Sequence, residues 1–87
     1  MIKIQCPCCG CYTHFVDYEG ELLVEICEVC FWQYDVTGHE KREKAIGPNH
    51  VSLNEAIENY KKFGACEKRV LDYVRKPLPE ELPENNE

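Results

Sequence analysis

The sequence lacks a long apolar run, an Asn-x-Ser/Thr glycosylation site and an apolar leader ahead of its first cysteine. A membrane-spanning helix needs roughly 20 apolar residues, and no stretch approaches that length. A chain of 87 residues is also too short for a nucleotide-binding α/β enzyme or a two-domain protein. These absences lead us to expect one small domain in a reducing, cytoplasmic location.

Positive charge is scarce in most of the chain. Residues 1–40 carry only Lys3 against seven acidic side chains, residues 41–76 carry nine cations against five anions, and residues 77–87 carry four glutamates. The formal net charge is −6. This charge balance disfavours nucleic-acid binding unless the middle segment presents its cations together.

Seven cysteines stand out against this background. A domain of this size has a core that supplies no more than about 3–5 kcal/mol, so a further stabilising element is expected. An odd number of cysteines cannot all pair within one chain, and no secretory leader is evident, so metal is favoured over disulfides.

We predict a small α+β fold, a zinc-ribbon-like β-hairpin with two zinc knuckles followed by two short α-helices. Ile2 to Ile4 alternate as a strand, and residues 12–18 and 21–26 flank the turn Glu19-Gly20 as a hairpin. The single domain spans residues 1–76, with the ribbon in residues 1–35 and the helical part in residues 52–74. Residues 77–87 form an acidic Pro/Glu tail that we expect to be extended or disordered.

Two helices are predicted in the second half. Ser52 opens a capping-box pattern, apolar residues recur at helical spacing from Leu53, and Gly64 stands where a left-handed C-cap belongs. A shorter helix is predicted from about Cys66 to Val74, with Pro77 ending it.

Four cysteines have the spacing of a metal site. Two Cys-x-x-Cys pairs are separated by 17 residues, inside the usual window for a four-cysteine zinc site. The predicted ligands are Cys6, Cys9, Cys27 and Cys30; four tetrahedral thiolates would also suit iron. Cys8 and Cys11 form a second pair in a shifted register, which we disfavour because Gly10 supplies a left-handed residue directly after Cys9.

The remaining candidate residues are less specific. Cys8 and Cys11 are possible accessory or redox residues, and Cys8, inside a knuckle, is expected to be fairly exposed. Cys66 is predicted to be a small, buried, apolar side chain on one face of the second helix. His14, His39 and His50 are not at ligand spacing from the knuckles. A surface site could still form from Asp35, His39, Asn49 and His50.

The chain resembles the cysteine-rich CPCC family of small, mostly bacterial proteins. The resemblance implies one domain with a zinc ribbon followed by helices, and it implies no activity. Cys11 departs from the family pattern, in which a non-cysteine residue follows the CPCCG box. The matching stretches are Cys6-Pro7-Cys8-Cys9-Gly10, residues 26–32 with Asp35, residues 49–56, Asn59-Tyr60, Phe63-Gly64-Ala65-Cys66 and Val74-Arg75-Lys76-Pro77.

These features favour a non-enzymatic zinc-binding protein that interacts with an unknown protein partner, as a monomer or weak dimer. A four-cysteine site has no open position for a catalytic water. The alternatives are a nucleic-acid-associated zinc ribbon and a thiol redox protein that uses Cys8.

Overall fold

The fold is described from a computed structural model, which covers residues 1–34, 40–45 and 48–86. Within these residues the named elements are three short strands, one α-helix and three short 3₁₀ helices. None of the helices in these ranges is long and apolar enough to cross a membrane.

The first half of the chain forms an antiparallel sheet with the strand order β1-β2-β3. The strands are β1 (Ile2–Ile4), β2 (His14–Val16) and β3 (Leu22–Val24). Asp17 closes the turn between β2 and β3, because its Oδ1 accepts the N–H groups of Glu19 and Glu21 at 2.9 and 2.8 Å. Gly20 has φ +89° in this turn, a conformation that glycine adopts without steric cost. The predicted hairpin therefore forms around the predicted glycine.

The predicted helix, α1, spans Leu53–Phe63. The Ser52 hydroxyl accepts the N–H of Glu55 at 3.1 Å, and Gly64 ends the helix with φ 86° while its N–H donates to the Tyr60 carbonyl. The buried face carries Leu53 and Ala56, which are 1% and 0% exposed. Both ends of this helix follow the capping rules that its sequence displays.

The second predicted α-helix is wrong in type and shorter than expected. Residues Lys68–Tyr73 form a 3₁₀ helix, whose N-cap Glu67 makes no side-chain capping bond. The backbone just ahead is already engaged, since the Cys66 N–H donates to the Cys30 carbonyl at 2.8 Å and the Cys66 carbonyl accepts from Asn59 Nδ2 at 2.9 Å. The Asn59 side chain therefore competes for the carbonyl that an α-helix beginning at Cys66 would use.

The C-terminal segment, residues 77–86, also differs from the expectation of an extended or disordered tail. It forms two 3₁₀ turns, Pro79–Glu81 and Pro83–Asn85. Glu81 accepts two bonds from the Arg75 guanidinium at 2.7 and 2.8 Å, and its carbonyl accepts the N–H of Tyr12 at 2.7 Å. Arg75 thus neutralises the carboxylate of Glu81, one of the acidic side chains that led us to expect disorder in this segment.

The buried core is centred on the cysteines. Cys6, Cys27 and Cys30 are each at most 1% exposed, and Trp32, which follows the second cysteine pair, is 1% exposed. Residues from α1 and the 3₁₀ segment complete the core: Leu53, Ala56, Ala65, Cys66 and Val70.

Candidate metal centre

The first Cys-x-x-Cys turn has a backbone geometry that presents its sulfurs inward. The N–H of Gly10 donates to the Cys6 carbonyl at 2.9 Å, and the N–H of Cys6 donates to the Cys11 carbonyl at 2.7 Å. Gly10, directly after Cys9, has φ 84°. This is the left-handed residue that sequence analysis placed after the second cysteine, and it closes the turn.

The second turn repeats the same pattern at the corresponding positions. The N–H of Phe31 donates to the Cys27 carbonyl at 2.7 Å, and the N–H of Cys27 donates to the Trp32 carbonyl at 2.9 Å. Phe31, directly after Cys30, has φ 70°. A non-glycine residue pays roughly 1–3 kcal/mol for this conformation. The shape of the turn is therefore imposed here without the help of glycine.

The two turns bring four sulfur atoms together. The Sγ atoms of Cys6 and Cys30 are 3.7 Å apart, as are those of Cys9 and Cys27, and all four lie within 4.8 Å of one another. A tetrahedron with metal–sulfur bonds of about 2.3 Å has sulfur–sulfur edges of about 3.8 Å. The Cys6–Cys30 and Cys9–Cys27 distances match such an edge, and the cluster could hold a metal ion.

The four thiols of the cluster shift one another's pKa values through hydrogen bonds. Hydrogen bonds from Cys30, Cys6 and Cys9 hold the pKa of the Cys27 thiol far below its usual range. The pKa values of the other three thiols are raised, chiefly because each protonated thiol donates to Cys27. Four adjacent thiolates need a bound cation to offset their mutual repulsion.

Thr13 is a further polar contact of the cluster, and sequence analysis missed it. Its hydroxyl donates to Cys27 Sγ at 2.9 Å, and the residue is 4% exposed. In the sequence, Thr13 stands two residues after Cys11 and directly before β2. This closeness to the first turn is the one sequence feature that could have indicated a contact with the cluster. A donor at this position orients the sulfur and stabilises its charged form.

The three other cysteines lie in the core. Cys8, Cys11 and Cys66 are 6%, 3% and 4% exposed. The expectation that Cys8 is fairly exposed is wrong, because Cys8 belongs to the same buried cluster as residues of the second turn, α1 and the 3₁₀ segment. Burial raises the pKa of Cys11 and raises that of Cys66 to about 12. Cys66 thus occupies the buried position expected of it.

The structure describes only part of the predicted surface site. Asp35 and His39 lie outside the described residues. The Asn49 side chain bonds the backbone N–H and carbonyl of Gln33 at 3.0 and 2.8 Å, which ties the segment before α1 to the second turn. This contact gives Asn49 a structural role.

His50 makes different contacts from Asn49. Its Nδ1 lies 3.2 Å from Glu67 Oε1 and also contacts the Arg69 guanidinium.

His14 is fully buried in β2, where its Nδ1 lies 3.2 Å from the Val24 carbonyl. Desolvation lowers the pKa of His14, which favours a neutral ring that donates from Nδ1.

A second contact that sequence analysis missed joins the C-terminal segment to the second turn. Arg75 donates to Glu28 Oε2 at 2.8 Å as well as to both carboxylate oxygens of Glu81. The Arg75 N–H also donates to the Glu28 carbonyl at 3.1 Å. Sequence separation hides this arrangement, since Glu28 precedes Arg75 by 47 positions.

The fold and the sulfur cluster define a small cysteine-rich protein with a four-cysteine centre suited to a metal ion. The chain belongs to the cysteine-rich CPCC family, whose model matches residues 4–81. No curated protein and no solved structure gives a significant match.

Proposed function

We propose that the protein is a small zinc-binding module with a zinc-ribbon-like centre, in which Cys6, Cys9, Cys27 and Cys30 hold one structural Zn²⁺. The observation that carries this proposal is the set of four sulfurs within 4.8 Å of one another. Zn²⁺ has no redox chemistry and binds readily to four cysteine sulfurs in a tetrahedron. Iron can bind to the same four sulfurs. Such a site contributes folding free energy of about 10–16 kcal/mol, well above the roughly 3–5 kcal/mol from a core of this size.

The module has a non-enzymatic role in this proposal. Four protein sulfurs fill a tetrahedral coordination sphere, so a water could bind the metal only if one sulfur left. Thiol redox catalysis through Cys8 needs an accessible thiolate, and Cys8 is 6% exposed. The burial of this residue supports a structural rather than a catalytic assignment for the cysteine cluster.

The remaining function is recognition of another protein. Residues 1–40 are strongly acidic and residues 41–76 are basic, and a charge layout of this kind favours electrostatic steering of a partner. A rigid, metal-stabilised scaffold also reduces the entropy lost on binding. In this proposal the metal ion stabilises the fold, and the charged surface binds the protein partner.

Native mass spectrometry with elemental analysis tests the metal assignment. We expect one zinc ion per chain, and we expect a chelator to remove the metal and the folded state together, as followed by circular dichroism. A purified protein that is folded and free of metal would refute the assignment. Iron in place of zinc would retain the site and change its occupant.

Chemical cross-linking at low ionic strength, with the metal-bound protein as bait, tests the interaction role. We expect a protein partner whose capture weakens as salt screens the charges. A Cys30→Ser bait, which lacks one metal ligand, serves as the control and should lose the partner. Recovery of nucleic acid alone, or of the same proteins by both baits, would contradict the proposal.

A further inference from the structure

A groove follows one side of α1 outside the metal centre. It has a volume of about 550 Å³ and is lined by Glu55, Asn59, Lys62, Phe63 and Lys68. We call it the Phe63 groove. Glu55 and Phe63 are eight residues apart, which corresponds to about 12 Å along a helix. An extended peptide of about four residues covers that distance.

The basic end of this groove carries uncompensated charge. Lys61 and Arg69 nearby are paired, with Glu58 at 3.7 Å and Glu67 at 2.7 Å respectively. Lys62 and Lys68 are both exposed, and neither has an ion pair among the described residues. In a chain with a net charge of −6, these two ammonium groups form a local positive feature.

The groove has an electrostatic direction and an apolar element. Glu55 is exposed at the end where α1 begins, and the two lysines stand where it ends. The half-buried Phe63 side chain lines both the Phe63 groove and a second hollow of about 280 Å³. A ligand with carboxylates at one end and an apolar side chain beside them would match both features.

The position of Lys68 selects the class of ligand. Its Nζ lies 6.0 Å from the centroid of the Phe63 ring, over its face. A nucleic-acid base would need an open aromatic face for stacking, and this half-buried ring already has the Lys68 ammonium group over one face. The net charge also opposes a long polyanion. A short acidic peptide is compatible with both observations, because it needs only the groove and its two lysines.

We propose that the Phe63 groove binds an acidic peptide segment of the partner protein. An apolar side chain of the peptide packs against the Phe63 edge, and its carboxylates pair with Lys62 and Lys68. The peptide is oriented with its acidic end away from Glu55. This inference rests on the proposed interaction with a protein partner and names the Phe63 groove as the surface that binds that partner.

Fluorescence anisotropy of the full, metal-bound chain with synthetic peptides tests this proposal. The probe is a short peptide with one leucine and a run of aspartate and glutamate on one side of it; the comparison probes are the same peptide with alanine for leucine, a counterpart with lysine for the acidic residues, and an oligo-dT strand. We expect the acidic leucine peptide to bind most tightly, with an affinity that falls as salt rises. Amide shifts in NMR spectra should cluster at Asn59 to Lys68.

Charge variants give the test its matched control. The double variant Lys62→Glu/Lys68→Glu should weaken peptide binding about tenfold, since two exposed ion pairs become repulsive. The double variant Lys41→Glu/Lys44→Glu changes the net charge equally at exposed positions outside the groove and should leave affinity within about twofold. Glu55→Gln removes the repulsive end and should tighten binding, a gain that misfolding cannot mimic.

The outcomes separate this proposal from the interaction role beneath it. Equal weakening by both double variants, tighter binding of oligo-dT, or amide shifts elsewhere would overturn the groove assignment. If the partner cross-links equally to wild type and to Lys62→Glu/Lys68→Glu, the groove assignment fails and the interaction role stands. If neither peptide nor partner binds wild type, both fail.

Discussion

Replacing Thr13 by valine removes one hydroxyl next to the metal centre and almost nothing else. The hydroxyl donates to Cys27 Sγ at 2.9 Å and valine has nearly the same shape. Because Thr13 is 4% exposed, water has little access to replace the lost donor. A hydrogen bond to a charged group contributes about 1.5–3 kcal/mol. We therefore expect metal affinity to fall roughly ten- to hundredfold.

Competition against a chelator of known affinity measures this loss, and cobalt substitution identifies its cause. A sulfur without its hydrogen bond donates more strongly, so the sulfur-to-cobalt charge-transfer band should move to lower energy in Thr13→Val. Thr13→Ser is the matched control, because it keeps the donor and loses the methyl group. Its band should stay where the wild-type band lies.

The order of the two variants decides between hydrogen bonding and packing. If the hydroxyl matters as a donor, valine weakens metal binding more than serine does. If Thr13 only fills space, serine leaves a small cavity and is the more harmful change. Metal affinity lower in Thr13→Ser than in Thr13→Val, or an unmoved cobalt band in Thr13→Val, would refute the reasoning.

Three other predictions follow from the described contacts. Cys30→Ser should abolish stoichiometric metal binding in native mass spectra. Cys66→Ala should retain the metal and lower the free energy of unfolding in urea by about 1 kcal/mol, because it removes only buried volume. Metal loss in Cys66→Ala would contradict this prediction. Arg75 lowers the pKa of Glu81, so this contact stabilises the fold above the unfolded carboxyl pKa and is lost as pH falls through the lowered folded value. Unfolding measured from neutral to acidic pH should show a smaller decline in Glu81→Gln than in wild type, and identical declines would argue against the contact. Gly20→Ala forces a side chain into φ +89° with no atom within 4 Å to clash, and thermal unfolding should report a loss of about 1–2 kcal/mol from backbone strain alone; an unchanged unfolding temperature would count against it.

The features that could be predicted from the sequence depend on local rules. Ser52 and Gly64 mark the ends of α1 because capping acts within one helical turn. Each Cys-x-x-Cys turn is a local structure that presents two sulfurs, and the hairpin between the turns accounts for the meeting of the two pairs. Gly10 signals the left-handed residue of the first turn for the same reason.

The features that could not be predicted depend on distant partners. The order of residues 77–86 follows from Arg75, which compensates Glu81 and reaches Glu28. The 3₁₀ geometry after Cys66 follows from bonds that α1 and the second turn make to its backbone. Phe31 takes the conformation of a glycine, and no local rule indicates that a phenylalanine will do so.

The C-terminal segment has a practical consequence for anyone trimming or fusing this protein. The family match ends at residue 81, and a cut there would look natural. Asn86 lies beyond that point, yet its side chain accepts from Lys3 Nζ at 2.5 Å and donates to the carbonyls of Glu80 and Leu82 at 2.9 and 2.7 Å. A linker attached after residue 86 keeps this tie between the segment and the first strand, and one attached at residue 81 severs it.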